Sequence, residues 1–87
     1  MATLSAIAGG IYFEITIDEW LWVSLAMALV WIMETLNSAL EKLVDLASPA
    51  FHPMAGAVKD MAAGAVLIAA IFAVVVGVAV FGPYLTH

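Results

Sequence analysis

Apolar positions run along this chain in long blocks separated by short polar stretches. The clearest block is MAAGAVLIAAIFAVVVGVAVFGPYL, Met61 to Leu85, which contains no charged residue. As a helix rising 1.5 Å per residue it is long enough to cross about 30 Å of hydrocarbon. Pro83 and Tyr84 mark its exit at the interface. A second block begins at Trp20 and stays uncharged to Met33, but the helical pattern does not stop there. Neither glycine nor proline occurs between Trp20 and Ala47, so one long helix over 20–47 leaves the hydrocarbon near Glu34 and projects several turns beyond it. Pro49 and Pro53 end that helix, because the residue before a proline is pushed out of helical geometry. A loop over 48–56 therefore joins it to a third helix over 57–85. The first block, residues 1–13, is apolar but too short to span a bilayer and carries Gly9-Gly10, so it reads as a partial first span. Glu14, Asp18 and Glu19 place the following turn in water or at the interface.

Composition makes the bilayer the natural solvent. Of 87 residues, 67% are hydrophobic, more than a water-soluble chain of this size hides in a core. The expectation is an all-α integral membrane protein forming a single domain of three helices. Seven acids against two lysines give a net charge of −5, which excludes nucleic acid as an electrostatic partner. Cysteine is absent, so any metal is held by oxygen or imidazole nitrogen. Both basic residues, Lys42 and Lys59, flank the loop between the second and third helices, which assigns that loop to the cytoplasmic side.

The polar residues that follow Met33 are ordered. At about 100° per residue, Glu34, Asn37, Ser38, Glu41 and Asp45 fall within an arc of roughly 100°, forming one stripe on a helix that is otherwise mostly apolar. A solvated helix end explains Asp45 taken alone, but three aligned acids repel one another and only Lys42 on the same helix offsets them. A divalent cation relieves that repulsion. Magnesium suits such a site, because it accepts one or two carboxylates and completes its shell with water and nucleotide phosphates. Glu34 lies deepest, at the expected edge of the hydrocarbon, where a lipid hydroxyl would meet it as a general base. Lys59 and Asp60 stand just before the third apolar block. The plain reading of Lys59 is a lysine reaching out to the interface; beside an acidic stripe, the same ammonium is placed to hold phosphate oxygens. Ala65, Ala69, Ala73 and Gly77 recur every four residues as a face suited to close helix packing. No glycine-rich phosphate loop of the Walker or protein-kinase type is present.

The stretch ETLNSALEKLVD, followed by KDMAAGAVLIAAI, resembles the small prokaryotic membrane kinases of the diacylglycerol kinase and undecaprenol kinase family. That resemblance covers about Glu34 to Ile71 closely and both ends loosely. It implies a homotrimer of three-span subunits in the bacterial cytoplasmic membrane, with sites shared between neighbours that use ATP and magnesium to phosphorylate a lipid alcohol. Residue by residue, Glu34 matches the catalytic base and Glu41 a metal carboxylate that also contacts ATP. Asn37, Ser38 and Asp45 match supporting polar residues; Lys59 and Asp60 match a nucleotide-contacting pair, and Ala50, Phe51 and His52 match a segment against the nucleotide. The family pattern also has an amphipathic surface helix before the first span and a glutamate near its end as a second metal carboxylate. The sequence read here begins past both, so the competing expectation is a truncated or catalytically silent membrane subunit whose acidic stripe is structural. A cation channel built on Glu34 is a third reading, which leaves Lys59 and Asp60 without a role.

Overall fold

The structure is a computed structural model that describes residues 2–50 and 52–86. These residues form three helices, α1 (Ala2–Phe13), α2 (Ile17–Ala47) and α3 (Pro53–Leu85). α2 and α3, of 31 and 33 residues, are each long and apolar enough to cross a membrane. They pair antiparallel and set the long axis of a 55 × 19 × 17 Å rod. Asp45 faces Lys59 at one end of the pair, and Glu19 meets Tyr84 at the other. α1 lies along the Glu19–Tyr84 half only.

The connections are set by local chemistry. α1 ends where Glu14 takes a left-handed backbone, φ 51°, with Glu14 N–H donating to Ile11 carbonyl (3.3 Å) and Ile15 N–H to Gly10 carbonyl (3.2 Å). That pair of bonds is a Schellman closure made without the usual glycine. α2 starts at Ile17, three residues ahead of the expected Trp20, because Thr16 caps it. The Thr16 hydroxyl accepts from Glu19 N–H (3.2 Å) while the Glu19 carboxylate accepts from Thr16 N–H (2.9 Å), a reciprocal capping box. α3 likewise starts at Pro53, four residues ahead of the expected 57, and shortens the expected 48–56 loop to 48–52. Pro53 ends one helix and begins the next: its missing N–H costs nothing in a first turn. His52 precedes it as the cap, its Nδ1 accepting from Met54 N–H at 3.1 Å. Pro83 sits inside α3 and does not end it; Leu85 does.

Packing is concentrated away from the short loop. Ile15, Val23, Ala26, Val76 and Val80 form the buried cluster, with Ala6, Phe13, Trp20 and Phe81 among the side chains against it. Phe13 also stacks with Tyr84, ring centroids 5.6 Å apart. Part of the small-residue face of α3 serves this contact: Ala69 is buried, and Ala73 packs on the cluster. No polar side chain is buried among the described residues, while Leu21, Leu25, Ile68, Val75 and many other large apolar side chains are exposed. A surface of that kind belongs in lipid, and the chain is a helical membrane protein.

Candidate functional site

The half of the hairpin toward the short loop carries no large buried side chain; its one buried residue on α3 is Ala62. The two helices and the turn leave an open cavity of about 240 Å³ at this end. Asp45 of α2, Ser48 and Ala50 of the turn, His52 at the cap, and Gly56 and Lys59 of α3 line it. Four residues singled out in the sequence, Asp45, Ala50, His52 and Lys59, are thus brought together. They come from two helices and a turn spanning fifteen positions, joined because the turn is only five residues long.

The strongest polar contact in the cavity is between helices. The Lys59 ammonium donates to the Asp45 carboxylate at 2.6 Å, with side-chain exposures of 37% and 67%. Lys59 precedes the uncharged Met61–Leu85 block. The hydrogen bond to Asp45 holds its ammonium above the usual lysine value; burial, the next largest effect, opposes it, and the charges of Asp45 and then Glu41 add to it. The turn is braced by the Ser48 hydroxyl, which donates to the Ala50 carbonyl at 3.3 Å.

The remaining stripe residues lie farther along α2. Glu34 is exposed and sits about 16 Å along the helix axis from Asp45. Glu41 is exposed between them, on the same side and close enough for its charge to act on Lys59. Ser38 is exposed; Asn37 is half-buried, and its Oδ1 is shielded from solvent with no hydrogen-bond donor. Asp60 is exposed and does not line the cavity, so Lys59 and Asp60 do not act on one pocket within a single chain. Phe51 lies outside the described residues.

Among the described residues no three His, Asp or Glu side chains cluster closely enough to hold a metal. Among those residues there is therefore no preformed cage for a divalent cation. One carboxylate, Glu41, with Asp45 a turn away, does fit an ion that brings most of its ligands as water and phosphate.

Several polar contacts were not foreseen. The Tyr84 hydroxyl donates to Glu19 Oε1 (2.5 Å), fastening α3 to the α2 cap, where the sequence suggested only an interfacial aromatic. Trp31 Nε1–H donates to Thr3 Oγ1 (2.8 Å), tying the start of α1 to the middle of α2. The Asp45–Lys59 pair was readable in principle: a five-residue turn between antiparallel helices brings a residue about one helical turn before it near a residue about two turns after it.

The family model described as prokaryotic diacylglycerol kinase matches residues 1–81. An undecaprenol kinase of Bacillus subtilis is 37% identical over 84 residues, covering 97% of this chain and 68% of the relative. A diacylglycerol kinase of Synechocystis is 54% identical over 56 residues, covering 63% of this chain and 32% of the relative. One from Escherichia coli K12 is 48% identical over 50 residues, covering 58% and 41%. The match thus spans about two thirds of the undecaprenol kinase and less than half of either diacylglycerol kinase. No solved structure matches the chain. With nearly its whole length matched by the family model, the chain belongs to the prokaryotic diacylglycerol kinase family.

Proposed function

We propose that this chain phosphorylates a lipid alcohol, undecaprenol or diacylglycerol, at the cytoplasmic face of the bacterial membrane, with ATP as phosphoryl donor. The observation that carries the reading is the one-sided stripe of α2. It leads from Glu34, next to the apolar block, to a cavity where Lys59 is the cation on the wall. The lipid end of the reaction needs a proton acceptor at headgroup depth, and the nucleotide end needs a cation for phosphate oxygens. Glu34 is the acceptor at one end of the stripe, and Lys59 of α3 is the cation that faces its other end.

In this mechanism the lipid O–H gives its proton to the Glu34 carboxylate as its oxygen bonds to the γ-phosphorus, and the bond from that phosphorus to the β,γ-bridging oxygen breaks to release ADP. Lys59 holds phosphate oxygens, and Ala50, Phe51 and His52 bound the nucleotide. Glu41 would hold magnesium, which neutralises phosphate charge when bound. A two-helix hairpin covers only one side of a nucleotide. That openness, and the exposed apolar faces, support a homotrimer in which a neighbouring subunit completes each site.

A silent membrane subunit is favoured by one observation, the lack of a three-ligand metal cluster among the described residues. Transfer of labelled γ-phosphate from ATP to each lipid in mixed micelles separates the two. The kinase reading expects magnesium-dependent transfer that falls about 10²- to 10⁴-fold in Glu34→Gln, the usual range for a lost general base. Undiminished transfer in that variant removes the role of Glu34, and no transfer to either lipid leaves the silent subunit.

A further inference from the structure

The Asp45–Lys59 pair sits where an incoming phosphate would need Lys59. Every polar side chain on the cavity wall is already engaged within the chain. The Ser48 hydroxyl donates to Ala50, and His52 Nδ1 accepts from Met54. The Lys59 ammonium is held at 2.6 Å by Asp45. Glu41 adds its charge from the next turn of α2. Two carboxylates and one ammonium leave the group at −1, so a free polyphosphate approaching Lys59 meets net repulsion. A cation that occupies the carboxylates reverses that sign and frees the ammonium.

We propose that Asp45 is a built-in counter-anion that makes phosphate capture by Lys59 conditional on a divalent cation. The pair acts as a latch. Without the cation, Asp45 competes with phosphate for the same ammonium; with the cation on Glu41 and Asp45, the competition ends. Metal-free nucleotide, unready for transfer, is thereby kept out. The inference rests on the kinase reading only in taking the natural anion to be the phosphate chain of a nucleotide.

The test is titration calorimetry of the full chain in detergent micelles at low ionic strength, with inorganic pyrophosphate as the probe, in EDTA and again in magnesium. Asp45→Asn is expected to bind metal-free pyrophosphate about two- to fivefold more tightly than the parent chain, the scale of one exposed ion pair, with a smaller gain on adding magnesium. Asp45→Glu, which keeps the charge, is expected to restore the parent behaviour. Asp45→Asn with Lys59→Gln is expected to lose the gain. Asp45 is exposed, so these changes do not threaten the fold. Unchanged or weaker metal-free binding in Asp45→Asn, including no binding at all, overturns the latch. A gain that persists without Lys59 overturns it too, because the effect would then be diffuse charge. Lipid phosphorylation is not read here, so a chain that shows the gain yet transfers no phosphate refutes the kinase reading and retains the latch.

Discussion

Gly10 of α1 faces the Trp20 ring so closely that a Cβ at this position would lie 2.4 Å from Cη2, 2.7 Å from Cζ2 and 2.9 Å from Cζ3. Carbon atoms pack at about 3.5–4.0 Å, so in Gly10→Ala the ring must retreat by about 1 Å from a cluster it helps to cover. Overpacking of that kind costs about 1–3 kcal/mol. Alanine returns about 0.5–1 kcal/mol by its better helix propensity. The steric term is the larger, and a net loss of about 1 kcal/mol is expected. Gly77 of α3 is the control: nothing stands within 4 Å of its Cβ position, so Gly77→Ala is expected to gain the propensity term alone. The assay is unfolding in detergent micelles by heat or added SDS, followed by circular dichroism and tryptophan emission. Trp20→Leu removes the obstructing ring, and in that background Gly10→Ala is expected to cost nothing further. Gly10→Ala melting at or above the parent chain, with Trp20 intact, refutes the close approach of α1 to α2.

Three further outcomes are expected. Glu14→Gly is expected to stabilise the chain by about 1 kcal/mol, since glycine removes the penalty of a left-handed backbone at the end of α1; the same unfolding assay reads it, and an unchanged midpoint argues against φ 51° there. Thr16→Ala is expected to cost about 1 kcal/mol through loss of the α2 cap and to speed amide exchange in the first turn of α2, with Thr16→Ser close to the parent. Lys59 titrates above 10.5, so the stability it contributes is whole below that ordinary value and is lost as pH rises through the raised one; NMR titration of its ε-methylene is expected to show the value falling in Asp45→Asn, and no change there would detach Lys59 from Asp45.

Much of the architecture was legible before any coordinates. Three helices, two of them long and apolar, follow from uncharged blocks and from where glycine and proline are absent, because a backbone in lipid must satisfy its own hydrogen bonds and has few ways to do so. Boundaries were less legible where one residue has two meanings. Pro53 reads as the end of one helix and is also the first residue of the next; Thr16-Ile17-Asp18-Glu19 spells a capping box whose value depends on both side chains turning back at once. The stripe from Glu34 to Asp45 was likewise written in helical periodicity, since angular position on a single helix needs no knowledge of neighbours.

What the sequence by itself determined is therefore the part governed by local rules: solvent, helix number, and which polar residues share a face. Only the tertiary structure decided partners. It set Lys59 on Asp45 and in reach of Glu41's charge, left Asp60 off the cavity wall, and used Tyr84 to fasten α3 to Glu19. Those choices depend on the register between two antiparallel helices. The register comes from the length of a five-residue turn together with the fit of small residues such as Ala26 and Ala69 in the packed faces. Sliding one helix by a single turn would change every such pair while leaving each helix's own pattern intact, which is why periodicity alone could place the site residues on a face but could not match them.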